Sequence, residues 1–130
     1  MTISHSTPVR NAATDTVVDR LDLGTTNPSA RLALLTAGDV LVVAAVASNP
    51  AFGNSVGGTA TANALTAGTV GVGAAGTVAK FEWRDRDNAK IWGGTVGVSG
   101  ADMNISNVVF AEGDQFPNLA AAPTYTALPV

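Results

Sequence analysis

Two aspartates in the segment Asp85-Arg86-Asp87-Asn88 carry the most suggestive spacing for chemistry in this 130-residue chain. Alternating carboxylates open the calcium loop of an EF-hand, which also needs oxygen ligands at loop positions 5 and 12 and glycine at position 6. Here those positions hold Ala89, Val96 and Lys90. The pattern fails, and a tight turn explains the same residues, because Asp and Asn bond to their own backbone and tolerate left-handed conformations. Glu82 and Glu112 are the only glutamates. A glycosidase needs two carboxylates flanking one bond. Nothing in the sequence pairs these two, and Glu82 falls on the charged face of a strand. His5 is the only histidine and there is no cysteine. That composition argues against a Ser-His-Asp triad, a thiolate zinc site and a disulfide framework. The phrases GTVGVGAAG and GGTVGVSG lack the Lys-Ser/Thr of a phosphate loop and precede strands rather than a helix. The expectation is a protein that is not an enzyme, with no catalytic, cofactor-binding or metal-binding residues.

Phe81, Trp83, Trp92 and Phe110 could form a platform for a sugar or a base. In a small β protein, aromatics of this kind more commonly fill the core. Phe81 and Trp83 share one strand face with Ala79, while Lys80, Glu82 and Arg84 take the other. The aromatic pair therefore goes inside together or to a partner together.

The elements that must position these residues are mostly strands. Thr7-Pro8 opens a helix expected over about 8–22, with Ala13, Val17, Val18 and Leu21 on its apolar stripe and Gly24 as its stop. It packs either on its own sheet or on a neighbouring molecule. Strands are expected at Arg31 to Leu35, Asp39 to Ala47, Thr59 to Asn63, Thr69 to Gly73, Ala79 to Arg84, Ala89 to Val98, Asn107 to Glu112 and Thr124 to Thr126. Asn49-Pro50 marks a turn. The fold class is all-β, a jelly roll or β-sandwich of about eight short strands with one N-terminal helix. The domain count is one, spanning 1–130, with a flexible arm at 1–7 and a tail segment at 118–130.

Seven basic against ten acidic residues leave a net charge of −3. That balance argues against nucleic acid, which needs a basic stripe, and against an anionic membrane surface. The N-terminus lacks the basic-then-apolar layout of a signal peptide. The apolar run LVVAAVA is far too short to span a bilayer. Only 13% of residues are charged, about half the usual ~25%. A chain this poor in charge is expected to cover much of its surface with a partner, and self-association as a two-fold dimer is expected.

Three phrases carry a likeness beyond composition: VRNAATDTVVDRLDLG at 9–24, SNPAFGNSVGGTATANAL at 48–65 and FEWRDRDNAKIWGGTVGVSGADMNIS at 81–106. In this order they resemble a family of small structural proteins of tailed bacteriophages, and within it the capsid cement, or decoration, proteins of short-tailed phages. The resemblance covers about 9–112. It implies a jelly-roll protein on the capsid exterior of the virion, synthesised in the host bacterial cytoplasm. The partner it implies is a major capsid protein with the HK97-type fold, bound by a dimer or trimer. The alternative it leaves open is a tail-associated or receptor- and carbohydrate-binding virion β-sandwich.

Overall fold

The computed structural model describes residues 3–119 and 121–128. The chain is mostly β with one α-helix, and its main strands form a curled mixed sheet. Helix α1 spans Thr7–Asp19 and runs on into a short 3-10 turn, Arg20–Asp22. The strands are β1 (Arg31–Leu35), β2 (Leu41–Val46), β3 (Thr59–Thr61), β4 (Thr66–Ala67) and β5 (Gly76–Thr77), followed by β6 (Lys80–Arg84), β7 (Lys90–Gly97), β8 (Met103–Asn104), β9 (Val109–Phe110) and β10 (Thr124–Thr126). The six-stranded sheet has the order β4-β2-β1-β6-β7-β8, and two short ladders, β10-β3 and β5-β9, stand beside it.

β1 is the hub. It pairs antiparallel with both β2 and β6. Its residues Leu32 to Leu35 are all buried, as suits a short, continuous apolar strand. Register then sorts the side chains. Leu32 and Leu34 sit opposite Trp83 and Phe81 on the inner face, and Arg31, Ala33 and Leu35 sit opposite Arg84, Glu82 and Lys80 on the outer face. The alternation expected for β6 is therefore present.

The inner face meets one core cluster that includes Val18 and Leu21 from the helical segment, Ala60 from β3, Phe110 from β9 and Phe116. β8 runs parallel to β7 after only the short loop 98–102. That connection is held by Thr95, whose N–H and hydroxyl both donate to Asp102 Oδ2, at 3.0 and 3.1 Å.

Helix α1 packs on its own chain, against β3 and β10. Its inward stripe is Thr14, Val18 and Leu21: Val18 and Leu21 are buried as expected, while Ala13 and Val17 are only half-buried and Thr14 is buried in their place. A polar residue moves inward because it is fully used. The buried Thr14 hydroxyl donates to the Gly58 carbonyl at 2.6 Å and accepts the Ala127 N–H at 3.1 Å. Asn11 Oδ1 accepts the Gly58 N–H at 2.7 Å, and Asp15 accepts the Ser55 N–H at 2.9 Å. Arg10 donates to the carbonyls of Gly57 and Leu128. The helix is seated by hydrogen bonds more than by an apolar stripe. Ser6 is its N-cap, with no side-chain capping bond, and Thr7 is already the first helical residue.

Two further expectations shift. Thr69–Gly73 is not a strand: only Thr69 forms a bridge, to Gln115, and Val72 is almost wholly exposed. The pairing partner of β2 is instead Thr66–Ala67, where the absent side chain of Gly68 lets the chain lie against the Ala44 carbonyl. The two-residue strands β5 and β8 are additions to the expected set; β5 lies in a Gly- and Ala-rich phrase and β8 in SGADMNIS, neither with an alternation to reveal it. At the N-terminus the helix already begins at Thr7, and residues 1–2 of the expected 1–7 arm lie outside the described residues. At the other end the tail segment is built into the fold, since β10 pairs with β3 over Thr124–Thr126.

The folded chain exposes 7098 Å², against roughly 6,300 Å² expected for a compact monomer of this mass.

Candidate functional site

The residues that sequence reasoning marked for chemistry are drawn into separate structural tasks. Asp85 closes its own turn: its Oδ1 accepts the N–H groups of Asp87 and Ala89, both at 2.9 Å. Asn88 takes the left-handed conformation that the turn requires, with φ of 68°. Asp87 Oδ1 reaches back to accept the N–H groups of Thr25 and Thr26 at 2.9 and 3.0 Å. Those donors hold its carboxyl below the usual carboxylate range. Arg86 completes the clasp, with Nε on the Asn27 carbonyl at 2.7 Å. Gly24 fits here because a Cβ would meet the backbone and side chain of Asp87 at 2.9 Å. The β6–β7 turn therefore anchors the segment that links helix to sheet. Glu82 pairs with Arg84 at 3.4 Å, and Glu112 accepts the Gly73 N–H at 2.7 Å on a different element. His5 is exposed ahead of the helix. Among the described residues, no three His, Asp or Glu side chains are grouped to hold a metal.

The aromatic residues do converge. Trp83 is buried and Phe110 belongs to the core. Phe52 packs edge-on against Trp83 with ring centroids 5.0 Å apart, and lies 5.6 Å from Trp92. Trp83 and Trp92 are cross-strand neighbours at 5.7 Å. Phe81 and Trp92 are half-buried, so their partly exposed rings continue the row that Trp83 begins. Phe81 has room because Gly94 opposite it lacks a side chain; a Cβ there would stand 2.7 Å from the Phe81 ring and 2.8 Å from Asp102 Oδ2.

Phe81 and Trp92, with the buried Trp83 behind them, line a cleft of about 330 Å³ together with Asp102 and Asn104 at β8 and Leu119 and Pro123 of the C-terminal segment. Asp102 sits below the usual carboxylate range because the backbone N–H and hydroxyl of Thr95 bond to it. Asn104 Oδ1 accepts the Ala101 N–H at 3.0 Å, which fixes the amide. Neither residue has a motif to announce it, since both depend on the turn that folds β8 against β7.

The outer face of the sheet is the second candidate surface. Val40, Leu41 and Val46 are 61%, 44% and 37% exposed there and at its turn. A groove of about 170 Å³ is lined by Leu41 and Val46 with Ala33, Ala44, Arg31 and Arg84. Four of the seven basic residues, Arg31, Lys80, Arg84 and Lys90, share this face by register.

No protein-family model, curated protein or solved structure matches this chain. No helix among the described residues is long and apolar enough to cross a membrane.

Proposed function

We propose that this chain is a capsid cement, or decoration, protein of a tailed bacteriophage. In this reading it is made in the host bacterial cytoplasm, binds the outside of an icosahedral head built from a protein of the HK97-type fold, and acts as a non-catalytic stabiliser. The sequence resemblance motivates the reading, and the structure gives it a surface. The observation that carries it is the outer sheet face: exposed Leu41 and Val46 beside Arg31 and Arg84. A sheet face with exposed apolar side chains on β2 beside charged ones on β1 and β6 suits a protein partner. The three phrases of the resemblance also meet in one body. Asn11 and Thr14 of the first bond to Gly58 of the second, and Phe52 of the second packs on Trp83 and Trp92 of the third. In this reading the two short ladders are taken as the second layer of a sandwich or jelly roll, and a two-fold dimer belongs to the same proposal.

Such a protein strengthens a shell by linkage: what binds only the assembled state stabilises it by its binding free energy. Many copies sum, so modest affinity per copy suffices. The test uses Leu41→Glu with Val46→Glu, two exposed positions at which the fold is expected to survive. Filled heads carrying the unaltered protein, the double variant or none are heated, and DNA release is followed. The variant is expected to leave heads undecorated and to release DNA at the temperature of bare heads. If bare and decorated heads release DNA at the same temperature, the cement reading fails.

A further inference from the structure

The outer face of the sheet carries a row of like charge. Strand register places Val46, Arg31, Arg84 and Lys90 side by side across β2, β1, β6 and β7. With neighbouring strands about 4.8 Å apart, the three cations span roughly 10 Å. Lys90 belongs to this face although a register shift adjoins it. Its stem lies over Gly93, where a Cβ would stand 3.3 Å from Lys90 Cε. Like charges directly opposite one another destabilise a sheet, and little inside the chain offsets the row. Glu82 reaches Arg84 at 3.4 Å, Arg31 donates to the neutral amide of Asn27, and Lys90 has no carboxylate partner among the described residues. A local rule broken at a cost to the sheet points to a use outside it.

The imbalance is confined to this side. The face and its turn hold four of the seven basic residues but only two of the ten acidic ones, Asp39 and Glu82. The remainder of the chain is therefore acidic. We infer that Arg31, Arg84 and Lys90, with Leu41 and Val46 beside them, dock a protein surface that carries a cluster of carboxylates among apolar side chains. This names the chemistry of the partner in the proposed function, and it rests on the same face being the contact surface. The partner's carboxylates supply the counter-charge that the row lacks, and its apolar side chains cover Leu41 and Val46. A phosphate backbone fits less well, because Asp39 and Glu82 would face its phosphates and the apolar side chains would stay uncovered. A second copy meeting this face with its own would set row against row.

The test begins without a phage particle. Poly-L-glutamate is titrated into the isotope-labelled full chain, and amide NMR shifts locate the contact. A chain of net charge −3 repels a polyanion as a whole, so binding requires a local cationic row. Shifts are expected at Arg31, Arg84, Lys90 and their neighbours, with affinity falling steeply between about 0.05 and 0.3 M salt. Lys90→Glu is expected to weaken binding about tenfold. It is also expected to leave the unfolding temperature unchanged or higher, because it sets a carboxylate opposite Arg84. Arg31→Gln is expected to weaken binding severalfold. Arg20→Glu, at an exposed position of the helical segment, is the control that keeps binding. The inference is overturned if poly-L-glutamate binds elsewhere or not at all, or if Lys90→Glu binds as well as the unaltered chain or unfolds at a lower temperature. It is equally overturned if duplex DNA or phosphatidylserine vesicles bind the row more tightly than poly-L-glutamate. Bare heads then separate it from the cement reading. Heads that take up no protein, while poly-L-glutamate maps to the row, defeat the cement reading alone. Heads decorated equally by the unaltered chain and by Lys90→Glu defeat the inference alone.

Discussion

The ring of Tyr125 lies with its centroid 4.6 Å from that of Trp92. This contact joins the last strand of the chain to β7 of the six-stranded sheet, alongside the pairing of Tyr125 with Ala60. The C-terminal segment is therefore part of the core assembly over 124–128, where Ala127 and Leu128 also bond to the helix. Tyr125→Ala is expected to cost about 2–3 kcal/mol, combining lost apolar burial with the aromatic pair term. Deletion of 119–130 is expected to cost more, because it also strips β3 of its partner. Urea unfolding of the three proteins checks the order; a deletion as stable as the full chain would show the segment to be dispensable.

The two aromatic residues of β6 separate in burial. Trp83 is 1% exposed, and Trp83→Ala is expected to cost about 3–5 kcal/mol. Phe81 is only half-buried in the cleft wall, so Phe81→Ala is expected to cost about half as much. Equal costs in denaturant titrations would mean that the cleft is closed in solution.

Thr14 tests whether polar seating holds the helix. Thr14→Val keeps the shape but leaves the Gly58 carbonyl and Ala127 N–H without their shared hydroxyl. The expected loss is about 1–3 kcal/mol, the cost of stranding buried polar groups. Val18→Thr, its neighbour one turn on, is expected to be destabilising too, because Val18 is buried with the apolar core. A stabilised Thr14→Val protein would refute polar seating.

Acid should release the clasp between hairpin and linker. Asp87 is held below its ordinary range by the N–H groups of Thr25 and Thr26. A folded-state pKa below the unfolded value of about 3.9 adds stability at higher pH, and that stability is lost as pH falls through the folded value. Asp22 has the opposite sign. Burial raises it, against the opposing Ala51 N–H, so its ionised form costs stability at neutral pH and acid relieves that cost. In urea midpoints measured from pH 2 to 7, the advantage of the unaltered chain over Asp87→Asn is expected to hold above pH 5 and shrink below about pH 4. A gap that widens in acid would contradict the assignment.

The local patterns were legible in the chain itself. The period-two alternation of Lys80 to Arg84 set the faces of β6, and the Asp and Asn residues after it set the turn, since both effects act between near neighbours. Thr7-Pro8 and Gly24 framed the helical segment for the same reason. Thr14, Val18 and Leu21 also stand at helical spacing, but no sequence rule promotes a threonine into the stripe. Only Gly58 and Ala127, 44 and 113 positions away, make its burial favourable.

The aromatic cluster and the cleft beside it were assembled by the tertiary structure. Phe52, Trp83, Trp92 and Tyr125 of the cluster come from four segments, and Asp102 and Asn104 at the cleft have no spacing that marks them as a pair with those rings. Their meeting depends on long-range strand pairing: β6 with β7, β10 with β3, and β8 folded back parallel to β7. A composition of Gly, Ala, Thr and Val encodes that strands form. It does not encode which strand lies beside which, because such small side chains pack almost equally well against one another. The few large rings and the bonded turns select the arrangement, and they can act only once the chain has brought them together.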